Sequence, residues 1–542
     1  MKKRILFSTL IVLVFIAGGE SCKTYSFRKN YNEVNGLRHA TENLSEKPFL
    51  KAHMKNGEVI ILKDSWIIND NGNEISGSGT RYDFNRKVIQ EGAFSLWTDS
   101  VAIFETNTKL LGTEKERVAS LAILAGMDII LGIICLTNPK ACFGSCPTFY
   151  MDENDSFHYA DAEVFSEAIR PSVEYADIDA LNLSSQPDGS FSLTMKNEAL
   201  ETHCVRDVKL LAVPREAGKK VYHCYPDHFY LCEKIYPPVK ATAREGDITY
   251  LLSLPDRMER FSMADERNMK SAEEIHMTFQ VPEHQGEWGL LLNFRQTLMT
   301  TYLIYSAMGY MGDRVGDTFA RMETEIPSVK KSGDTFIQTP QSSALKKELG
   351  KIEVFTWNEK TNQWEFQNSF YEIGPIAINQ QIIPLKNLEQ GKEIRLKLVV
   401  NRGLWRIDYA ALTHITNQVE PIWINPDQIY HKGAADTGAL DRLLDPDRLL
   451  ISMPGNEYTF YFTLPERDTE YDLFLYGKGY YLEWMREQWI QDKNLVKLWK
   501  MLNHPKLYLR EQAREYKEYE TTMEEAFWGS KIDTKTFVYH DN

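Results

Sequence analysis

Residues 57–84, GEVIILKDSWIINDNGNEISGSGTRYDF, set short β-branched and aromatic runs against Asn-Gly and Gly-Ser turns. Such runs of four to eight residues between turn formers specify β-hairpins and leave little room for helix. The same pattern recurs in GAFSLWTDSVAIFET (92–106), SFSLTMKNEA (190–199), VRDVKLLAVP (205–214), ITYLLSLP (248–255), KIEVFTWNE (351–359), QWEFQNSF (363–370), EIRLKLVV (393–400), LWRIDYAAL (404–412) and YTFYFTLP (458–465). At 542 residues the chain exceeds what one hydrophobic core organises. The fold class expected is therefore mainly β with added helices, in several domains.

Composition shifts divide the chain into a leader at 1–21, a polar tether at 22–49, an N-terminal β domain at 50–112 and an apolar helical segment at 113–137. A central β domain at 138–285, a helical segment at 286–345, a C-terminal β-sandwich at 346–480 and a helical tail at 481–542 complete the expected order. Within the first apolar segment, VASLAILAGMDIILGIICL (118–136) has the length of a bilayer span, but Asp128 sits near its middle. A central Asp costs roughly 2.5–3.5 kcal/mol on insertion, which favours a buried or membrane-lying helix while leaving a span open. In 286–322, apolar residues fall on more than one face of a helical register, as expected of a buried helix.

The first residues combine a basic MKKR, an apolar ILFSTLIVLVFIAGG and a lone Cys22, the layout of a signal peptide. GGESC resembles the lipobox of bacterial lipoproteins, in which the cysteine is cut free and acylated. That resemblance implies lipidation at Cys22 and a membrane-anchored location in the cell envelope, at the outer membrane facing the periplasm. A net charge of −14 without a Lys/Arg block argues against a nucleic-acid partner.

The six other cysteines, Cys135, Cys142, Cys146, Cys204, Cys224 and Cys232, lie within a hundred residues of one another. In an oxidising compartment they are disulfide candidates, with many possible connectivities. Cys142 and Cys146, in CFGSCPTFY, have one residue too many between them for a thioredoxin-like pair and no basic neighbour to lower a thiol pKa. His203, Cys204, His223, Cys224, His228 and Cys232 match no zinc module, so no metal is assigned. Asp152, Asn154, Ser156 and Glu163 have calcium-loop spacing, but Phe157 stands where a glycine is needed. The single Asp-Thr-Gly at Asp436 lacks the second copy that an aspartic protease needs and is expected to serve as a helix cap or loop. No P-loop, His-Glu-x-x-His, Gly-x-Ser-x-Gly or Rossmann fingerprint occurs, so no cofactor and no catalytic residue is assigned.

Two longer resemblances add to this. KDSWIINDNGNEISGSGTRYDFNRKVIQEGAFSLWTDSVAIFETN and NPKACFGSCPTFYMDENDSFHYADAEVFSEAIRPSVEYADID resemble a group of bacterial envelope lipoproteins that share a Gly-Ser-Cys-Pro motif between two β regions. LKLVVNRGLWRIDYAAL (396–412) resembles the Trp-x-Ile-Asp strand of jelly-roll, galactose-binding-like sandwiches. This implies Trp405 as a ring for sugar stacking, with Arg402 and Asp408 bonding hydroxyls, set against a core role for Trp405. The function expected is a lipid-anchored envelope protein that acts as a structural or protein-interaction component. The alternative is a carbohydrate-binding protein, or a carbohydrate-active hydrolase whose carboxylates the sequence does not reveal.

Overall fold

The computed structural model describes most of the chain between residues 25 and 110 and between 146 and 535; residues 1–24, 111–145, 152–159, 313–344, 536–542 and several shorter stretches lie outside the described set. Five sheets account for the described strands, so the molecule is β-rich, with helices concentrated near the C-terminus.

Sheet 1 has seven strands and takes in Tyr25–Tyr31, which runs antiparallel to Val101–Leu110 with Tyr25 opposite Leu110. The polar stretch expected to be a tether therefore contributes a strand and the helix Val34–Thr41, whose Leu37 is fully buried. Alternation explains this: Leu50, Ala52, Ile60, Leu62, Ile75 and Phe104 need a lid, and Leu37 supplies part of it. Gly77-Ser78-Gly79, expected as a turn, lies inside the strand Glu74–Tyr82, and at Gly79 a Cβ would lie 1.9 Å from the Ile61 carbonyl oxygen, so the glycine there is a packing requirement.

Sheets 2 and 3 face each other. Sheet 2 holds Tyr175–Leu181, Glu201–Arg215, Ile422–Ile424, Leu450–Ser452 and Glu470–Glu483; sheet 3 holds Thr148–Tyr150, Ala162–Glu163, Ser190–Lys196, Gln428–His431, Ala434–Ala435 and Glu457–Thr463. Their inner faces meet through Phe149, Leu193, Met195, Leu210, Phe460, Phe462, Leu473 and Leu475. Burying each such side chain stabilises by about 1.5–3 kcal/mol before conformational entropy is counted.

The described strands between Lys219 and Val419 belong to a second lobe. In sheet 4, Lys219–Cys224, His228–Tyr236, Trp405–Val419, Glu287–Gln296 and Asn379–Leu385 pair in succession, and the last returns to the first at His223↔Gln381. The sheet thus closes on itself around Tyr222, Cys224, Cys232, Leu291, Ile382, Tyr409, Ala411 and Ile415. Sheet 5 (Lys240–Ala243, Gly246–Asp247, Ala272–Gln280, Ile352–Asn358, Gln363–Phe370, Glu393–Asn401) packs on it through Ile275, Met277, Leu290, Leu292, Val354, Leu396 and Leu412.

The expected boundaries at 285 and 346 are corrected by this pairing. Ala272–Gln280 lies beside Glu393–Asn401, and Glu201–Arg215 lies beside Glu470–Glu483. The lobe at 219–419 is instead inserted between two strands of sheet 2, Glu201–Arg215 and Ile422–Ile424. Ile178, Leu211 and Val213 press it against Val221, Phe229 and Leu231, with Phe229 edge-on to Phe474 at 4.9 Å.

The 286–345 segment is likewise not all helix. EWGLLLNFRQ is a strand buried on both faces, and the helix Met299–Met311 follows it. A continuous apolar run suits a central strand as well as a buried helix, and only partners decide between them. That helix and Leu495–Asn503, Pro505–Tyr519 and Met523–Ser530 close one end of the second lobe. Gln512 donates to the Tyr302 hydroxyl (2.7 Å), and Glu524 accepts from Arg406 Nε (2.7 Å). Among the described residues no helix is long and apolar enough to cross a membrane; residues 113–137 lie outside them.

Candidate functional site

The sites expected from the sequence disperse in the fold. Trp405 is 3% exposed, with its ring 5.9 Å from Phe294 in the core between sheets 4 and 5. Arg402 donates to Asp265 (3.0 Å), and Asp408 is buried. The three therefore do not present a sugar platform, because the Trp-x-Ile-Asp strand is central rather than marginal. Burial, together with Glu259 and Asp256, pushes the Asp408 carboxyl up to about 6.

Of the six disulfide candidates, four lie among the described residues, and these four form no disulfide with one another. Cys146, Cys204, Cys224 and Cys232 carry thiols. Cys224 lies opposite His228 and Cys232 opposite Lys220, so the two sit at different levels of one hairpin. Cys204 lies in the core between sheets 2 and 3. Burial pushes Cys224 up to about 11 and Cys232 up to about 12, which keeps both protonated. Cys22, Cys135 and Cys142 lie outside the described residues, as do Asp152, Asn154 and Ser156.

Cys146, of the Gly-Ser-Cys-Pro motif, sits at the junction of the two lobes, its Sγ 3.5 Å from Glu163 Oε2. Glu163 accepts from the Ile376 amide (3.0 Å), while its own amide donates to Asp179 (2.8 Å). Burial, then the Glu163 charge, raises the thiol well above its ordinary range, so it is a packed structural group and not a nucleophile. His203 bonds Glu201 at 2.7 Å with both side chains fully buried, and His223 Nε2 lies 3.1 Å from the Pro226 carbonyl oxygen. Among the described residues no group of three or more His, Cys, Asp or Glu is placed to hold a metal ion. Asp436 caps the helix Thr437–Leu444 by accepting from Ala439 N (2.8 Å), as its sequence context predicts.

The surface with the most recognition chemistry is the outer face of sheet 5. In Ile352–Asn358, Ile352 and Val354 point into the core, which turns Phe355 and Trp357 outward. On the neighbouring edge strand Phe366 lies opposite Phe355, and Trp364 opposite Trp357. The first pair meets edge to face at 5.5 Å and the second at 5.3 Å. On the other side Lys397 lies opposite Phe355, and His276 lies opposite Lys397. Lys397 Nζ stands 5.2 Å from the centroids of both Phe355 and Trp364, and Arg395 stands 5.0 Å from that of Trp357. Each such cation–ring contact contributes about 0.5–1 kcal/mol at an exposed site.

Carboxylates pair with these cations. Glu274 accepts from Lys397 (2.9 Å) and lies 3.1 Å from His276 Nε2. Glu359 accepts from Arg395 and from the Trp357 indole N–H. The hydrogen bond from Lys397 holds Glu274 below its ordinary range, and that from Arg395 does the same for Glu359, so both acids stay ionised. Phe366 is 56% exposed, and the other three rings are half-buried.

The result is an aromatic strip bordered by charged donors and acceptors, suited to binding a ligand with apolar faces and polar edges. Its sequence signal is the alternation F-x-W and W-x-F in two strands joined by a short turn. That alternation marks an aromatic outer face once the inner face is known to be aliphatic. Comparison with protein-family models, with curated proteins and with solved structures finds no match to this chain.

Proposed function

We propose that this chain is an exported, lipid-anchored envelope protein that acts by binding, and that the outer face of sheet 5 binds a glycan. The observation carrying this reading is the four-ring cluster of Phe355, Trp357, Trp364 and Phe366 on a solvent-facing sheet, with Arg395, Lys397, His276, Glu274 and Glu359 around it. A pyranose presents C–H groups on one side and hydroxyls at its rim, matching rings in the middle and ionised groups at the border. The address rests on the leader and on Cys22 in GGESC. The side chains of Cys146, Cys204, Cys224 and Cys232 are buried, which shields them from oxidants and is compatible with export.

The test is a titration of purified envelope polysaccharides followed by calorimetry. Trp364→Ala and Trp357→Ala should each weaken binding at least tenfold, about 1.4 kcal/mol, with the melting temperature little changed. Full affinity in both variants would refute the assignment of the face.

A further inference from the structure

We propose that the outward stripe of the helix Leu495–Asn503 is a contact surface for an anionic lipid bilayer. This surface is separate from the glycan face. Asn494 caps the helix by accepting from Lys497 N, which fixes its orientation, and the helix presents two apolar stripes. Leu498 and Met501 turn toward the core that also holds Tyr508 and Leu509. Leu495, Val496 and Trp499 turn away from it and are 40%, 67% and 55% exposed, joined by Leu507 of the next helix at 44%. The spacing of 495, 496 and 499 places them on one side of the helix.

Charge selects the occupant. Residues 492–518 hold seven Lys/Arg against four Asp/Glu, in a chain whose net charge is −14. Lys493, Lys497, Lys500 and Lys506 flank the apolar stripe in sequence. Lys497 pairs with Glu515 (3.0 Å) and Lys500 with Glu511 (2.7 Å), but exposed pairs of this kind contribute little and yield readily to a stronger field. The Lys506 side chain is 71% exposed with its Nζ 3.7 Å from Glu348, a long pair that yields as readily, and Trp499 meets His504 edge-on at 4.7 Å. A tryptophan and aliphatic side chains in a row with lysines beside them match the headgroup region of a bilayer, where the rings and methyls enter and the ammonium groups stay with the phosphates. A protein partner ordinarily covers roughly 20–30 residues a side, and four apolar side chains fall short of that.

The full chain carrying Cys22→Ala, which removes the proposed acyl anchor, is titrated with phosphatidylcholine vesicles and with vesicles containing phosphatidylglycerol. We expect at least tenfold tighter binding to the anionic vesicles, lost at high salt. Val496→Glu/Trp499→Glu and, separately, Lys500→Glu/Lys506→Glu should each remove that preference without shifting the melting temperature, since both change exposed side chains. Equal binding to the two vesicle types, or no binding to either, would overturn the proposal and leave a protein surface as the occupant. Unchanged anionic preference in both variants would place the contact elsewhere and overturn it as well.

Discussion

Asp408 offers the sharpest test of burial along the strand Trp405–Val419 of sheet 4. It is 2% exposed, and its Oδ1 has no hydrogen-bond partner. It sits where the strands around Asn293 and Phe294 slip register, next to the Arg257 backbone. Burial is the largest cause of its raised pKa, and the nearby Glu259 and Asp256 carboxylates add to it, for a value of about 6 against an ordinary 3.8. The folded state therefore holds a proton that the unfolded chain releases near pH 4. Stability from this group is fully present below about pH 4 and is lost as pH rises through about 6. A shift of about two pKa units corresponds to about 3 kcal/mol. Asp408→Asn keeps the shape and removes the titration. The variant should match the wild type at pH 4 in urea unfolding and exceed it by about 2–3 kcal/mol at pH 8. The measurement is the difference between the two proteins at each pH, so that other titrating groups cancel. A difference that does not change between pH 4 and pH 8 would show that Asp408 is solvated, and the burial argument would fail.

Two further outcomes follow from the interior. Arg295 is fully buried, donating to Glu259 through Nε (2.6 Å) and Nη2 (2.7 Å) and to the Pro375 carbonyl oxygen (2.7 Å). Arg295→Met should destabilise by about 3–5 kcal/mol because it leaves the buried Glu259 carboxylate with only the longer Arg406 contact (3.7 Å), and adding Glu259→Met should recover most of that loss; urea unfolding of the four proteins of the cycle checks it. The thiols of Cys146, Cys204, Cys224 and Cys232 should resist alkylation in the folded protein and react in urea; quantitative labelling of the native protein at these positions would contradict their burial.

The β-rich class was legible in the sequence because alternation and turn residues are local signals. So was the cap at Asp436, which depends on residues only three positions apart. The strand Glu287–Gln296 was not, since its apolar run acquires a period only when Asn379–Leu385 and Trp405–Val419 flank it. The strand Tyr25–Tyr31 was hidden for a related reason: its partner lies about eighty residues away, and its Arg28-Lys29-Asn30 run breaks the apolar alternation. Trp405 drew attention by its type and its neighbours, yet position in the sheet set its role. Trp357 and Trp364 sit in strands the sequence does mark, and only the burial of Ile352 and Val354 shows which way the rings point.

The nested arrangement of the lobes bears on synthesis. The strand Glu201–Arg215 leaves the ribosome long before Glu470–Glu483, its antiparallel neighbour along the whole of its length. At roughly 5–20 residues per second, the intervening chain takes on the order of ten to fifty seconds to appear. During that interval a fifteen-residue strand, rich in valine and leucine, has an open edge. The inserted lobe begins only four residues after this strand ends and can complete both of its sheets within the same interval. The order of assembly is thus inside out, and a chaperone that shields strand edges has its longest task on the first half of the outer lobe.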